Sequence, residues 1–226
     1  MHADQIHFLV RTGLRNLLIL FLCAFALPAG FPRAFAESIV EIPVLAAIQS
    51  NNQGMFEALL LRWDHLPSPS PIVLQWQGGN IRPGQSQLSS MDLAFQYALD
   101  HTSHINHTGS ISATGIAYMS TGTDGPSAGA VMTVGFMALL KGDRIQRGIA
   151  MTGTIDKNGR IGTVGGIPDK IRAAAREGYR TVLIPDGQRY EPCWNIDRLS
   201  WDLNIEVKEV GTIEEAYHLM TGKTLD

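Results

Sequence analysis

At 226 residues, the chain has room for one domain of ordinary size and an appendage. Hydrophobic residues make up 45% and charged residues 17%, values that exclude a wholly disordered polypeptide. The formal net charge of −3 supplies no basic field for a phosphate backbone, so no nucleic acid is expected as a partner.

The appendage comes first. Arg11 and Arg15 precede the apolar run Leu17–Leu27, which Pro28 and Gly30 interrupt. That run is well short of the ~20 residues a helix needs to cross a bilayer. Ala34-Phe35-Ala36 then places small residues where a signal peptidase reads. The pattern predicts a signal peptide over residues 1–36 and an exported protein, periplasmic or secreted, from residues 37–226. An uncleaved signal anchoring the protein to the membrane is the alternative. Cleavage removes Cys23 and leaves Cys193 alone, so the mature chain has no internal disulfide and no cysteine-rich zinc site. Cys193, with no cationic neighbour in sequence, is expected as a packed thiol.

Along the mature chain, Ile42–Gln49 and Phe56–Trp63 read as strands around the turn-forming cluster Ser50-Asn51-Asn52-Gln53-Gly54. Pro67–Pro71 reads as an extended connector and Ile72–Trp76 as a further strand. Ser89 or Ser90 is placed to cap a helix with Leu93, Tyr97 and Ile105 facing the core, fading by His101 and ended by Gly109. Ile111–Met119 is strand-like, Ser120–Gly125 a loop, and a helix follows from Pro126. Ile149–Ile155 and Arg160–Val164 flank Asp156-Lys157-Asn158-Gly159, whose Asn-Gly pair is a hairpin signal. Pro168 opens a helix that Gly178 closes. Thr181–Pro185 and Ile205–Val210 are strands, and Thr212-Ile213-Glu214-Glu215 is a capping box that starts the last helix. Alternating strands and helices predict one α/β (α+β) domain with a mixed sheet.

Chemistry concentrates at Gly125-Pro126-Ser127-Ala128-Gly129. A serine at a loop-to-helix junction lies beside free backbone N–H groups that face a developing oxyanion. Pro126 has no N–H, so Ser127 N–H is the candidate donor, and Gly125, Ala128 and Gly129 keep the approach open. The hydroxyl needs a base. Lys170 stands in the first helical turn after Pro168, where apolar neighbours and the helix N-terminus both lower an ammonium pKa. A neutral lysine takes the serine proton and returns it, as in other Ser–Lys variants of the triad. The competing pattern is G-x-S-x-G, an esterase elbow, which would use His218 with Asp186, Asp197 or Asp202. A bare helix start capped by Ser127 is the third reading.

Asp124–Gly129, Ala150-Met151-Thr152-Gly153-Thr154-Ile155, Gly159-Arg160-Ile161, Val164-Gly165-Gly166-Ile167, Lys170 and Thr181–Pro185 stand in an order that resembles the proteolytic domain of Lon proteases. The resemblance is close over residues 120–186 and rests on element order alone over 37–119. It implies a serine endopeptidase with Ser127 as nucleophile and Lys170 as base. It further implies that Thr152 orients the lysine amine and that Asp124 supports the site without relaying charge. Protein or peptide substrates and a homo-oligomeric, hexameric ring are implied as well, with a separate partner delivering substrates as an open option. Thr154 departs from the glutamate of ATP-driven members and matches Lon-like proteases without an ATPase.

No cofactor is expected, nor a metal. Gly222-Lys223-Thr224 has the end of a nucleotide-binding loop, but Tyr217 occupies its first glycine position. His101, His104 and His107 recur every three residues without a carboxylate or cysteine to complete a metal site. Trp63, Trp76, Trp194 and Trp201 are expected in the core or lining a groove. A non-catalytic module used for binding or assembly is the reading that competes with an enzyme.

Overall fold

A computed structural model describes residues 38–48, 53–65 and 71–225. The segment expected as a signal peptide, with Cys23, lies outside the described residues, as do Ser50–Asn52 of the turn cluster and Pro67–Ser70 of the connector.

Two long apolar strands form the centre. β1 (Ser38–Ile48) and β2 (Gln53–Asp64) pair antiparallel along their whole length, from Ser38 opposite Trp63 to Ile48 opposite Gln53. β2 continues antiparallel onto β5 (Ser110–Ile116), and β5 pairs parallel with β3 (Val73–Gly79). On the other side β1 pairs parallel with β7 (Ile149–Met151), followed by β10 (Thr181–Pro185) and β11 (Glu206–Val210), also parallel. The seven-stranded sheet therefore runs β11-β10-β7-β1-β2-β5-β3 and is mixed, in an α/β fold. Two small sheets join β4 (Ile81–Pro83) to β6 (Thr121–Thr123) and β8 (Thr154–Ile155) to β9 (Ile161–Gly162).

The helices are α1 (Gln85–Asp100), α2 (Gly129–Lys141), α3 (Ile167–Arg176), α4 (Ile196–Leu203) and α5 (Ile213–Thr221). Residues of α1, α2 and α5 share one core with Ile42, Leu59, Leu61 and Trp63. Residues of α3 and α4 share a second core with Leu45, Ala150, Val182, Ile184 and Val207. Alternation explains the division, because successive side chains of β1 and β2 point to opposite faces. α2 is apolar all round and buried from Gly129 to Leu140, as expected of a helix enclosed on every side. Gly135 lets it sit close to the sheet, since a Cβ there would lie 2.7 Å from Ile42 Cγ2. Among the described residues no helix is long and apolar enough to cross a membrane.

Several elements differ from their sequence-based outlines. The hairpin over residues 149–164 holds only at β8–β9; β7 ends at Met151 and belongs to the large sheet. α1 begins at Gln85, and Leu93 is 36% exposed, because the inward arc is Gln87, Ser90, Met91, Ala94, Phe95 and Ala98. Two polar residues on that arc disguised it. Residues 120–125 are not all loop, since Thr121–Thr123 form β6. Gly54 is not a turn residue; it pairs with Ala47 inside β2. Trp63 is core, but Trp201 is 87% exposed on α4, where Ile196 is the buried residue. Cys193 is exposed, not packed.

Candidate active site

Ser127 lies just before α2, whose N-cap is Ala128 with no side-chain cap. The serine hydroxyl is therefore not spent on capping. The junction is tight, with Gly129 N–H donating to Pro126 O at 3.0 Å. Glycine is required at position 129, where a Cβ would meet Ser90 Oγ at 2.6 Å.

The stretch after β7 clamps this junction. Ala130 N–H donates to Gly153 O (3.0 Å) and Gly153 N–H to Ser127 O (2.8 Å), while Thr152 N–H donates to Leu183 O (3.0 Å). These bonds are why β7 and β8 are separate strands: the backbone between them is committed to the serine loop and to β10.

The loop ahead of the serine is tied to α1. Gly84, the N-cap of α1, has no side chain, and Asp124 takes over its capping role. Asp124 Oδ1 accepts from Gln87 N–H at 3.1 Å and from Gly125 N–H at 2.9 Å. A Cβ on residue 84 would lie 2.3 Å from Asp124 Cγ, so the glycine makes room for the aspartate. The bonds from Gly125 and Gln87 hold the carboxyl below the usual aspartate value. Ser90 Oγ adds a donor to Pro126 O (3.3 Å), and Thr123 Oγ1 donates to Gln87 Oε1 (2.9 Å).

Lys170 enters from the other side. Gly166 adopts φ +68° as the N-cap of α3, and Ile167, Ile171, Ala173 and Ala174 bury the helix's inner face completely. The lysine side chain goes inward with them and is 2% exposed. Its Nζ donates to Thr152 Oγ1 at 2.9 Å, and Thr152 Oγ1 donates onward to Ser127 O at 3.2 Å. Burial lowers the lysine pKa from 10.5 to about 8.

A cleft of about 610 Å³ joins these groups. Thr121–Ser127 form one wall and Gly165, Gly166, Asp169 and Lys170 the other. Ala46 and Ala47 line it from β1, and Met55 from β2. It opens beside the carboxyl end of β1, with the parallel strand β7 alongside, a common position for ligands in α/β sheets. The sequence-based candidates Asp124, Gly125, Pro126, Ser127 and Lys170 all line the cleft, and Thr152 reaches it through Lys170. Ala128 and Gly129 lie buried behind. The linings from β1 and β2 were missed by sequence reasoning; Gly54 was the available signal, since a glycine inside a strand marks a close approach. A Cβ there would lie 1.8 Å from Asp169 O.

His218 is elsewhere: it is exposed on α5 and does not line the cleft, and Asp186, Asp197 and Asp202 are absent from it too. His101 stacks on Tyr97 with ring centroids 3.8 Å apart, and His107 bonds Thr102 Oγ1 at 3.0 Å.

The family model of the Lon protease (S16) C-terminal proteolytic domain matches residues 95–216, more than half of the chain. Among similar proteins, Lon protease 2 of Syntrophobacter fumaroxidans is 38% identical over 96 residues, 42% of this chain and 12% of that protein. Lon protease of Lachnoclostridium phytofermentans is 27% identical over 168 residues, 70% of this chain and 19% of its own length. Lon protease of Xanthomonas oryzae pv. oryzae is 46% identical over 66 residues, 29% of this chain and 8% of its own. The chain thus spans less than a fifth of the length of these relatives. With residues 95–216 matched, the chain belongs to the Lon protease (S16) proteolytic-domain family.

Proposed function

We propose that the protein is a serine endopeptidase in which Ser127 attacks the peptide carbonyl and Lys170 is the general base. The observation that carries this reading is the buried Lys170 Nζ donating to Thr152 Oγ1 in the cleft that Ser127 lines. A neutral lysine that donates one N–H to Thr152 keeps its lone pair for the serine hydroxyl. With a pKa of about 8, roughly a tenth of the lysine is neutral at pH 7. The protonated amine then delivers its proton to the leaving amine, and water cleaves the acyl-enzyme with Lys170 again as base. Ser127 N–H, at the positive end of α2, is placed to stabilise the oxyanion.

Substrates on this reading are unfolded proteins or peptides, hydrolysed without nucleotide. Export through residues 1–36 and assembly into a homo-oligomeric ring complete the proposal, the first from the sequence pattern and the second from family membership.

The test is cleavage of an unfolded protein by the purified chain, with and without ATP, beside Ser127→Ala, Lys170→Ala and His218→Ala. Loss of about 10⁴-fold or more in the first two is expected, with His218→Ala active and ATP without effect. Activity that survives Lys170→Ala but not His218→Ala would point to the esterase arrangement, and no turnover by the unaltered chain to a binding module.

A further inference from the structure

β1 is far longer than the strand beside it. It has 11 residues against the 3 of β7, and the two strands meet in register only at Val44 and Met151. The break has a local cause. Thr152 N–H donates to Leu183 O on β10, so the preceding residue, Met151, turns its main-chain groups to β1. A parallel partner at Val44 meets those groups through Pro43 and Leu45, and Pro43 has no N–H to carry the ladder further. Alternation gives Ile39 the same orientation as Pro43, so its N–H and C=O face the side that β7 leaves. Among the described residues, only β2 pairs with β1 from Ser38 to Ile42.

A groove of about 480 Å³ lies along this bare edge. Ile39–Glu41 and Pro43 form one wall, Asp143–Arg147 the other, and Tyr179 joins them. It shares no lining residue with the cleft at Ser127, which opens by Ala46 and Ala47, roughly 20 Å further along β1. Ile39 is 52% exposed, a large apolar side chain on an open strand edge. Arg144 and Arg147 are exposed, and neither has an ion pair or hydrogen bond among the described residues. Of the two carboxylates here, Asp143 accepts from the Tyr217 hydroxyl and Glu41 projects from β1. The loop wall is thus left with two unpaired cations. A strand edge with free N–H and C=O groups is a template for another extended chain, the ligand whose own backbone groups repeat at the same spacing. We infer that this groove docks an extended polypeptide segment, which pairs with β1 at Ile39 and sets an acidic side chain against Arg144 and Arg147. An apolar residue of the same segment packs on the Ile39 side chain. In a peptidase the groove holds the substrate by a segment remote from the scissile bond. That use rests on the peptidase reading, whereas the docking itself does not.

The test measures binding to the full chain carrying Ser127→Ala, so that no probe is consumed. The probe is a fluorescein-labelled hexapeptide alternating glutamate with valine, read by fluorescence anisotropy. Adding Arg144→Glu and Arg147→Glu should weaken Kd about tenfold or more, and a lysine–valine counterpart should then bind instead. N-methylation of alternate amides in the probe should weaken binding as much, since strand pairing loses its donors while the charge stays. With Ser127 intact, the arginine variant should cleave a short neutral peptide at the unaltered rate but a substrate carrying the glutamate–valine segment more slowly. Binding that ignores charge reversal, or N-methylation, overturns the proposal. Self-association of the chain that the same variant abolishes also overturns it, by giving the groove to a second copy. Probe binding with the expected losses, in a chain that cleaves nothing, supports the groove and overturns the peptidase reading instead.

Discussion

The wall of the cleft that bears Lys170 is held by apolar packing: Ile167, Ile171, Ala173 and Ala174 are fully buried, and Gly166 lies close against Ala47. The wall that bears Ser127 is held by directed bonds, from Asp124 to Gln87, Thr123 to Gln87, Ser90 to Pro126 and Gly153 to Ser127. Packing fixes a helix as a unit, whereas each hydrogen bond can be exchanged for another at small net cost. Lys170, the proposed base, is thus set rigidly, and Ser127, the proposed nucleophile, is set by a network of exchangeable bonds.

The comparison breaks most sharply at the two glycine and lysine positions of the packed wall. Gly54→Ala drives a Cβ to 1.8 Å from Asp169 O, beside Lys170. It should destabilise by about 3 kcal/mol or more in denaturant unfolding and sharply reduce kcat. Lys170→Met should do the reverse for stability. Because burial depresses the lysine from 10.5 to about 8, the unfolded chain holds a proton that the native state lacks between those values. Native stability therefore rises over that window, and below it the native state carries the full cost of the buried ammonium, about 3 kcal/mol. Lys170→Met should accordingly abolish turnover yet raise Tm at pH 7, with the gain shrinking toward pH 10.

Changes in the bonded network should be milder. Thr152→Val removes the acceptor of the lysine N–H and should cost about 10²-fold in kcat, with KM little altered. Asp124→Ala removes the cap of α1 and should lower Tm only modestly. If Asp124→Ala instead matched Gly54→Ala in thermal denaturation, the contrast between the walls would fail.

Ser127, Lys170, Thr152 and Asp124 were legible because each sits in a local pattern that names its own geometry: glycines that clear space, a proline that starts a helix. Residues supplied by strands were not. Ala46, Ala47 and Met55 belong to the cleft because β1 and β2 pair in one particular register, which no local pattern states. Leu93 and Trp201 mislead for the opposite reason, being apolar residues on the outward faces of their helices.

The two cores on opposite faces of the sheet have a consequence for how the protein comes to life. Ser127 is secured through α2 to one core and Lys170 through α3 to the other. A folding intermediate with a single docked layer would hold one of these two residues without the other. On the proposed mechanism, the site is therefore complete only when both layers have closed on the sheet.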